Sequence, residues 1–132
     1  MRFGKQEETI LSSVTTTRRP HGVIETVFRG CVDGTLAAKA ETELFQLINK
    51  DGIRLWYVDA SGVTFNATVR EPASHLVSRY LKISEGKMVV LITSSPVRMM
   101  AIAIAFATGA HMNIVETPEK AKAKIHALLG LP

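Results

Sequence analysis

The sequence is poor in cysteine, in aromatic residues and in long apolar runs. Its one cysteine, Cys31, excludes a disulfide framework within the monomer and any multi-cysteine zinc site. One Trp, two Tyr and five Phe leave few aromatic platforms to interleave with basic groups, so nucleic acid is not an expected partner. The most apolar stretch, Met99 to Ala107, is about half the length that crosses a bilayer, so stable membrane insertion is not expected either. No Gly-rich phosphate loop or dinucleotide fingerprint occurs. His21, His75, His111 and His126 are scattered, with no close-spaced pair to hold a metal, and neither a metal nor a cofactor is expected. Met1 to Glu8 is polar, and no apolar segment with a cleavage site follows it; a cytoplasmic protein is the expectation.

What remains is a chain of 132 residues, 46% hydrophobic, without repeat or linker, and it is expected to fold as one domain over residues 1–132. A chain of this size buries enough surface to form a core without staples. The formal charge of +4 is unevenly placed. Its excess lies after residue 66, at Arg70, Arg79, Lys82, Lys87, Arg98, Lys120, Lys122 and Lys124. No run of like charge suggests a basic tail.

Periodicity supplies the elements. Ile10 to Thr17 and Val23 to Val32 have the β-branched composition of strands, and Arg18 to Gly22 between them has turn chemistry, which predicts a hairpin. Ile24, Thr26 and Phe28 share one face of the second strand; Val23, Glu25 and Val27 share the other. Cys31, at its end, is expected to be a small core residue. Leu36, Ala40, Leu44, Leu47 and Ile48 form a helical stripe that Asp33 or Thr35 can cap and Asp51-Gly52 ends. Leu55 to Val58 and Met88 to Ile92 are continuous apolar runs, as in strands covered on both faces. Between them lie a loop from Asp59 to Thr68 and a helix with Pro72 in its first turn and a stripe of Ala73, Leu76, Val77, Tyr80 and Leu81. Ser94-Ser95-Pro96 opens a third helix running to Thr108, in which Phe106 is expected to be core. His111 to Val115 is a short edge strand, and Thr117-Pro118-Glu119 opens the last helix, with Ala121, Ile125, Leu128 and Leu129 inward. The expected class is α/β: a small mixed sheet, an N-terminal hairpin followed by parallel strands, in the order β-β-α-β-α-β-α-β-α.

Functional groups in such sheets gather beyond the C-terminal ends of the parallel strands, here Asp59 to Thr68 and Thr93 to Arg98. Ser94, Ser95 and Thr117 are accounted for as caps. Thr68 is not needed as one, which makes it the candidate functional hydroxyl. Asp59, Ser61 and His75 can be drawn as a hydrolytic set, but no nucleophile-elbow motif supports it and His75 belongs to an outward helical face. The apolar helix from Met99 can be core, or can leave a face for another chain or a lipid.

The element order, the phrase Val32-Asp33-Gly34-Thr35-Leu36 entering the first helix, and the phrase Asp59-Ala60-Ser61-Gly62-Val63-Thr64-Phe65 resemble the STAS domain of bacterial anti-sigma factor antagonists over residues 10–130. The tail resembles the SpoIIAA-like group of that family. The resemblance implies a non-enzymatic regulatory module that binds a protein, either a kinase or an anti-sigma-like regulator. Near the ends of the parallel strands, Asp33, Ser61, Asn66, Thr68 and Arg70 are expected to line the partner surface, and the resemblance puts Thr68 at the position of the family's phosphorylated hydroxyl. Ala67 replaces the acidic residue that usually precedes it, and Val69-Arg70 the small residues that follow. Pro72 argues against a helix starting at Ala67, because its ring would meet the Thr68 carbonyl. For the SpoIIAA-like group the resemblance also leaves a lipid or small-molecule carrier as the alternative, and a second copy of the chain as a further partner.

Overall fold

A computed structural model describes residues 11–132. The strands are β1 (Ser13–Arg18), β2 (Val23–Val32), β3 (Leu55–Asp59), β4 (Val63–Phe65), β5 (Met88–Leu91) and β6 (Met112–Val115); the helices are α1 (Gly34–Asp51), α2 (Arg70–Ile83), α3 (Ser95–Thr108) and α4 (Pro118–Leu129). The order matches the sequence-based expectation with one added strand. The expected start of β1 at Ile10 and the polar segment Met1 to Glu8 lie outside the described residues.

The sheet runs β1-β2-β3-β5-β6, antiparallel between β1 and β2 and parallel thereafter. The added strand β4 falls within the segment expected to be loop, and corrects it. It pairs parallel with the far end of β2, Gly30 opposite Val63, just beyond the β2–β3 register that ends with Val27 opposite Asp59. From Val27 to Gly30 is three residues and from Asp59 to Val63 is four, so β3 and β4 form one line along β2 interrupted by a one-residue bulge. That bulge directs the next segment past the end of the sheet.

Helices α1, α2 and α3 cover one face, around a core of Ile24, Phe28, Leu44, Trp56, Tyr80, Ile92 and their neighbours. Helix α4 covers part of the other, over Val23, Leu55, Val89, Leu91 and Val115. The cap chemistry is as expected: Asp33, Ser94 and Thr117 accept from the backbone N–H groups of Leu36, Val97 and Lys120. The α1 stripe is rotated slightly, with Ala37 and Phe45 fully buried and Leu36 and Leu47 only half-buried. Arg18 closes the other end of α1 by donating to the carbonyls of Leu47 and Gly52 at 2.6 and 2.8 Å, satisfying groups that a helix C-terminus leaves open.

Two burial expectations are corrected. Cys31 is exposed, because it shares the outward parity of Arg29 on β2. Phe106 is 92% exposed, and with Met99 and Ile102 it forms an apolar outer face on α3, while Val97, Ala101 and Ile104 face inward.

Between α1 and α2, Glu41 receives Arg79 at 2.9 Å and His75 at 3.1 Å, and the Arg79 guanidinium lies 3.9 Å over the Phe45 ring. Burial alone would raise the Glu41 carboxyl; the bonds from Arg79 and His75 outweigh it and hold the carboxyl below its usual value of 4.5. A depressed carboxylate contributes stability above its unfolded pKa and loses it as pH falls through the folded value. Both partners are largely exposed, so the contribution is expected to be below about 1 kcal/mol. Urea midpoints at pH 7 and pH 3 should therefore show a slightly smaller acid loss in Glu41→Gln than in wild type.

Candidate functional site

The C-terminal ends of β2 and β4 bring the starts of α1 and α2 together. Asp33 caps α1, its Oδ1 3.0 Å from the Leu36 N–H. Gly34 follows at the first helical position, and its N–H donates to the hydroxyl of Thr68 at 3.2 Å. Thr68 sits in a one-turn 3-10 segment, Ala67–Val69, whose cap is Asn66: the Asn66 side-chain oxygen accepts from the Thr68 N–H at 2.9 Å. This segment runs directly into α2 at Arg70. The α-helix itself begins at Arg70, in keeping with the expected clash of Pro72 with a start at Ala67, and Ala67–Val69 precedes it as a 3-10 turn. The tighter turn carries the chain past the Thr68 carbonyl, which no proline N–H needs to reach.

Gly34 makes the junction possible. A Cβ there would lie 3.0 Å from the Thr68 carbonyl oxygen and 3.2 Å from the Pro72 ring, so the α1 start and the Thr68 turn approach more closely than a side chain permits. Val69, buried beneath, anchors the turn in the core, while Asn66, Thr68 and Arg70 are exposed. An open recess is lined by Ala67, Thr68, Arg70, Glu71, Pro72 and Ser74.

Four of the five expected surface residues therefore gather: Asp33, Asn66, Thr68 and Arg70. Ser61 belongs to a separate cluster at the other end of β4. Its hydroxyl and N–H both donate to Asp59 Oδ1, at 2.6 and 3.0 Å, while Asp59 Oδ2 lies 3.9 Å from Arg29 and the Gly62 N–H donates to Thr93. Ser61 is a turn residue held by Asp59. His75 pairs with Glu41 rather than with this cluster, so the set of Asp59, Ser61 and His75 does not assemble. Among the described residues no group of three His, Cys, Asp or Glu side chains is placed to hold a metal, and no helix is long and apolar enough to cross a membrane. Arg70, Arg79 and Arg98 do not converge on one anion, since Arg79 is bound to Glu41 and Arg98 lies 3.7 Å from Glu116.

The residue missed from sequence is Gly34. It stands in the phrase that carried the resemblance, but its closeness to Thr68 arises from contact across 34 positions, which no local pattern encodes.

Two solved structures resemble this fold. One is an anti-sigma factor antagonist from Mycobacterium paratuberculosis, 16% identical, with a TM-score of 0.63 over 86% of this chain and 95% of its own. The other is an uncharacterised protein with a SpoIIAA-like fold from Shewanella loihica, 9% identical, with a TM-score of 0.61 over 87% of this chain and 93% of its own. No family model and no curated protein matches the sequence.

Proposed function

From a SpoIIAA-like fold, we propose that this chain is a cytoplasmic, non-enzymatic regulatory module. It binds a protein partner, a kinase or an anti-sigma-like regulator, at the junction of Asp33, Asn66, Thr68 and Arg70. Similarity to an anti-sigma factor antagonist supports a regulatory role at the level of the fold. The observation that carries the proposal is the exposed Thr68 hydroxyl seated on the first N–H of α1.

Phosphorylation of Thr68 would place about 1.5 to 2 negative charges at a helix N-terminus. The dipole favours an anion there, but the Asp33 carboxylate already occupies the cap. Two anions on one helix end oppose each other, and Arg70, two residues on at the start of α2, is available as a counter-charge. The expected result is a rearranged turn and a weakened partner contact. Affinity capture followed by mass spectrometry tests this: wild type and Thr68→Ala should retain the same protein, and Thr68→Glu should lose about tenfold or more in affinity, roughly 1.4 kcal/mol. Equal retention by Thr68→Glu, with no phosphate on Thr68 in protein from its native cell, would remove the switch.

A second reading, a carrier of a small apolar molecule, is supported by an interior cavity of about 80 Å³ lined only by apolar side chains, among them Phe28, Trp56, Leu76, Val97, Ala101 and Ile104. Helix α3 forms one wall. The space is about half that of an engineered cavity of 150 Å³ that stays dry and binds benzene, so it suits a ligand of a few heavy atoms and not an acyl chain. Native mass spectrometry after mild purification distinguishes the readings by the presence or absence of a bound ligand.

A further inference from the structure

On the opposite face of the sheet, a groove of about 540 Å³ runs between α4 and the β1–β2 turn. Its polar lining is Arg19, His21, Glu25, Tyr57, Lys122 and His126; Val23, Ala121, Ile125 and Leu131 supply apolar wall. The volume lies within the roughly 300–1,000 Å³ usual for small-molecule sites.

Three observations indicate what fits. First, the groove carries Arg19 and Lys122 against one carboxylate, Glu25, which is already 3.6 Å from Arg19. Glu25 offsets Arg19, so the positive excess of the lining is Lys122. Second, burial first, then Asp59 and Glu25, push the Tyr57 phenol up to about 12, so it remains a neutral O–H donor. Third, His21 has φ 68°, ψ 24°, and among the described residues it is the only non-glycine with positive φ. A turn needing that conformation is served better by Gly or Asn. His tolerates this conformation better than most residues do, and here it sets an imidazole on the groove wall.

We infer that this groove binds a small organic anion: a carboxylate or phosphate monoester head met by Lys122 and His21, with an apolar body against Ile125 and Leu131. The other two basic groups of the wall are engaged within the chain, His126 Nδ1 3.0 Å from the Pro132 oxygen and Arg19 facing Glu25. The site is independent of the Thr68 junction, which lies at the other end of β2.

The test is an NMR titration of the full chain with phenyl phosphate, benzoate, inorganic phosphate and benzyl alcohol. Phenyl phosphate or benzoate should shift amides of residues 19–23, 57 and 121–131 and saturate. Inorganic phosphate and benzyl alcohol, each with half of the recognised chemistry, should bind about tenfold more weakly or worse. Lys122→Ala and His21→Asn should each weaken binding about fivefold or more, and His21→Asn should leave the thermal midpoint unchanged or raised, because Asn accepts left-handed backbone. Shifts that do not saturate, that fall outside the groove, that are matched by benzyl alcohol or that persist in both variants would overturn the inference.

Discussion

Replacing Gly34 by Val is expected to destabilise the protein by about 2 kcal/mol, as overpacking against a fixed backbone does. It should also separate the Thr68 turn from α1. Gly34 has no positive φ to protect; the constraint is contact with the Thr68 carbonyl and the Pro72 ring. The response should therefore begin with Gly34→Ala, at about 1 kcal/mol because the Thr68 carbonyl itself must shift, and grow with side-chain size. Urea unfolding measures the cost, and amide exchange at Thr68 and Val69 should rise in Gly34→Val more than exchange in β5. Equal effects of Ala and Val would mean that the close approach does not hold the junction.

The second large effect lies in the core behind the junction. Thr26 is the one polar residue fully buried among those described. Its hydroxyl accepts from the Trp56 indole N–H at 2.9 Å and lies 3.1 Å from the Thr16 hydroxyl, linking β1, β2 and β3. Trp56 packs on Tyr80 with ring centroids 5.1 Å apart, and the Tyr80 hydroxyl donates to the Lys87 carbonyl at 2.6 Å, which brings α2 and the approach to β5 into the same network. Thr26→Val preserves shape but strands the indole N–H, at an expected cost of about 2 kcal/mol. Thr26→Ser keeps the bond and loses one methyl, at about 1 kcal/mol. Chemical denaturation should therefore rank Ser above Val, the reverse of a ranking by apolarity. A Val variant as stable as wild type would show that the hydroxyl relay adds nothing.

These two cases mark what sequence can reveal. Asp33, Ser94 and Thr117 were legible as caps because a cap bonds within three residues of itself, and the α2 stripe was legible because its outward positions are polar. Helix α3 has few polar positions, so its sequence carries no sign of which apolar side faces out, and the pattern alone puts Phe106 in the core. Cys31 was misplaced despite a strand parity that points it outward. Strand β4 is three residues long and exists through pairing with Gly30 to Val32, a partnership too brief and too distant to leave a pattern. Of the candidate surface, Asn66 and Thr68 could be found by turn chemistry and resemblance. The separation of Ser61 from them follows from β4 and could not. The groove on the far face combines residues of the hairpin turn, β3 and α4, each ordinary in its own segment.

The most direct measurement of the central claim is an amide hydrogen-exchange footprint of the chain with its captured partner bound. Protection confined to residues 33–36 and 66–71, and lost with Thr68→Glu, is the result expected of a partner surface at the Thr68 junction. Protection on the outer face of α3 or along α4, with 33–36 and 66–71 exchanging as in the free protein, would contradict it.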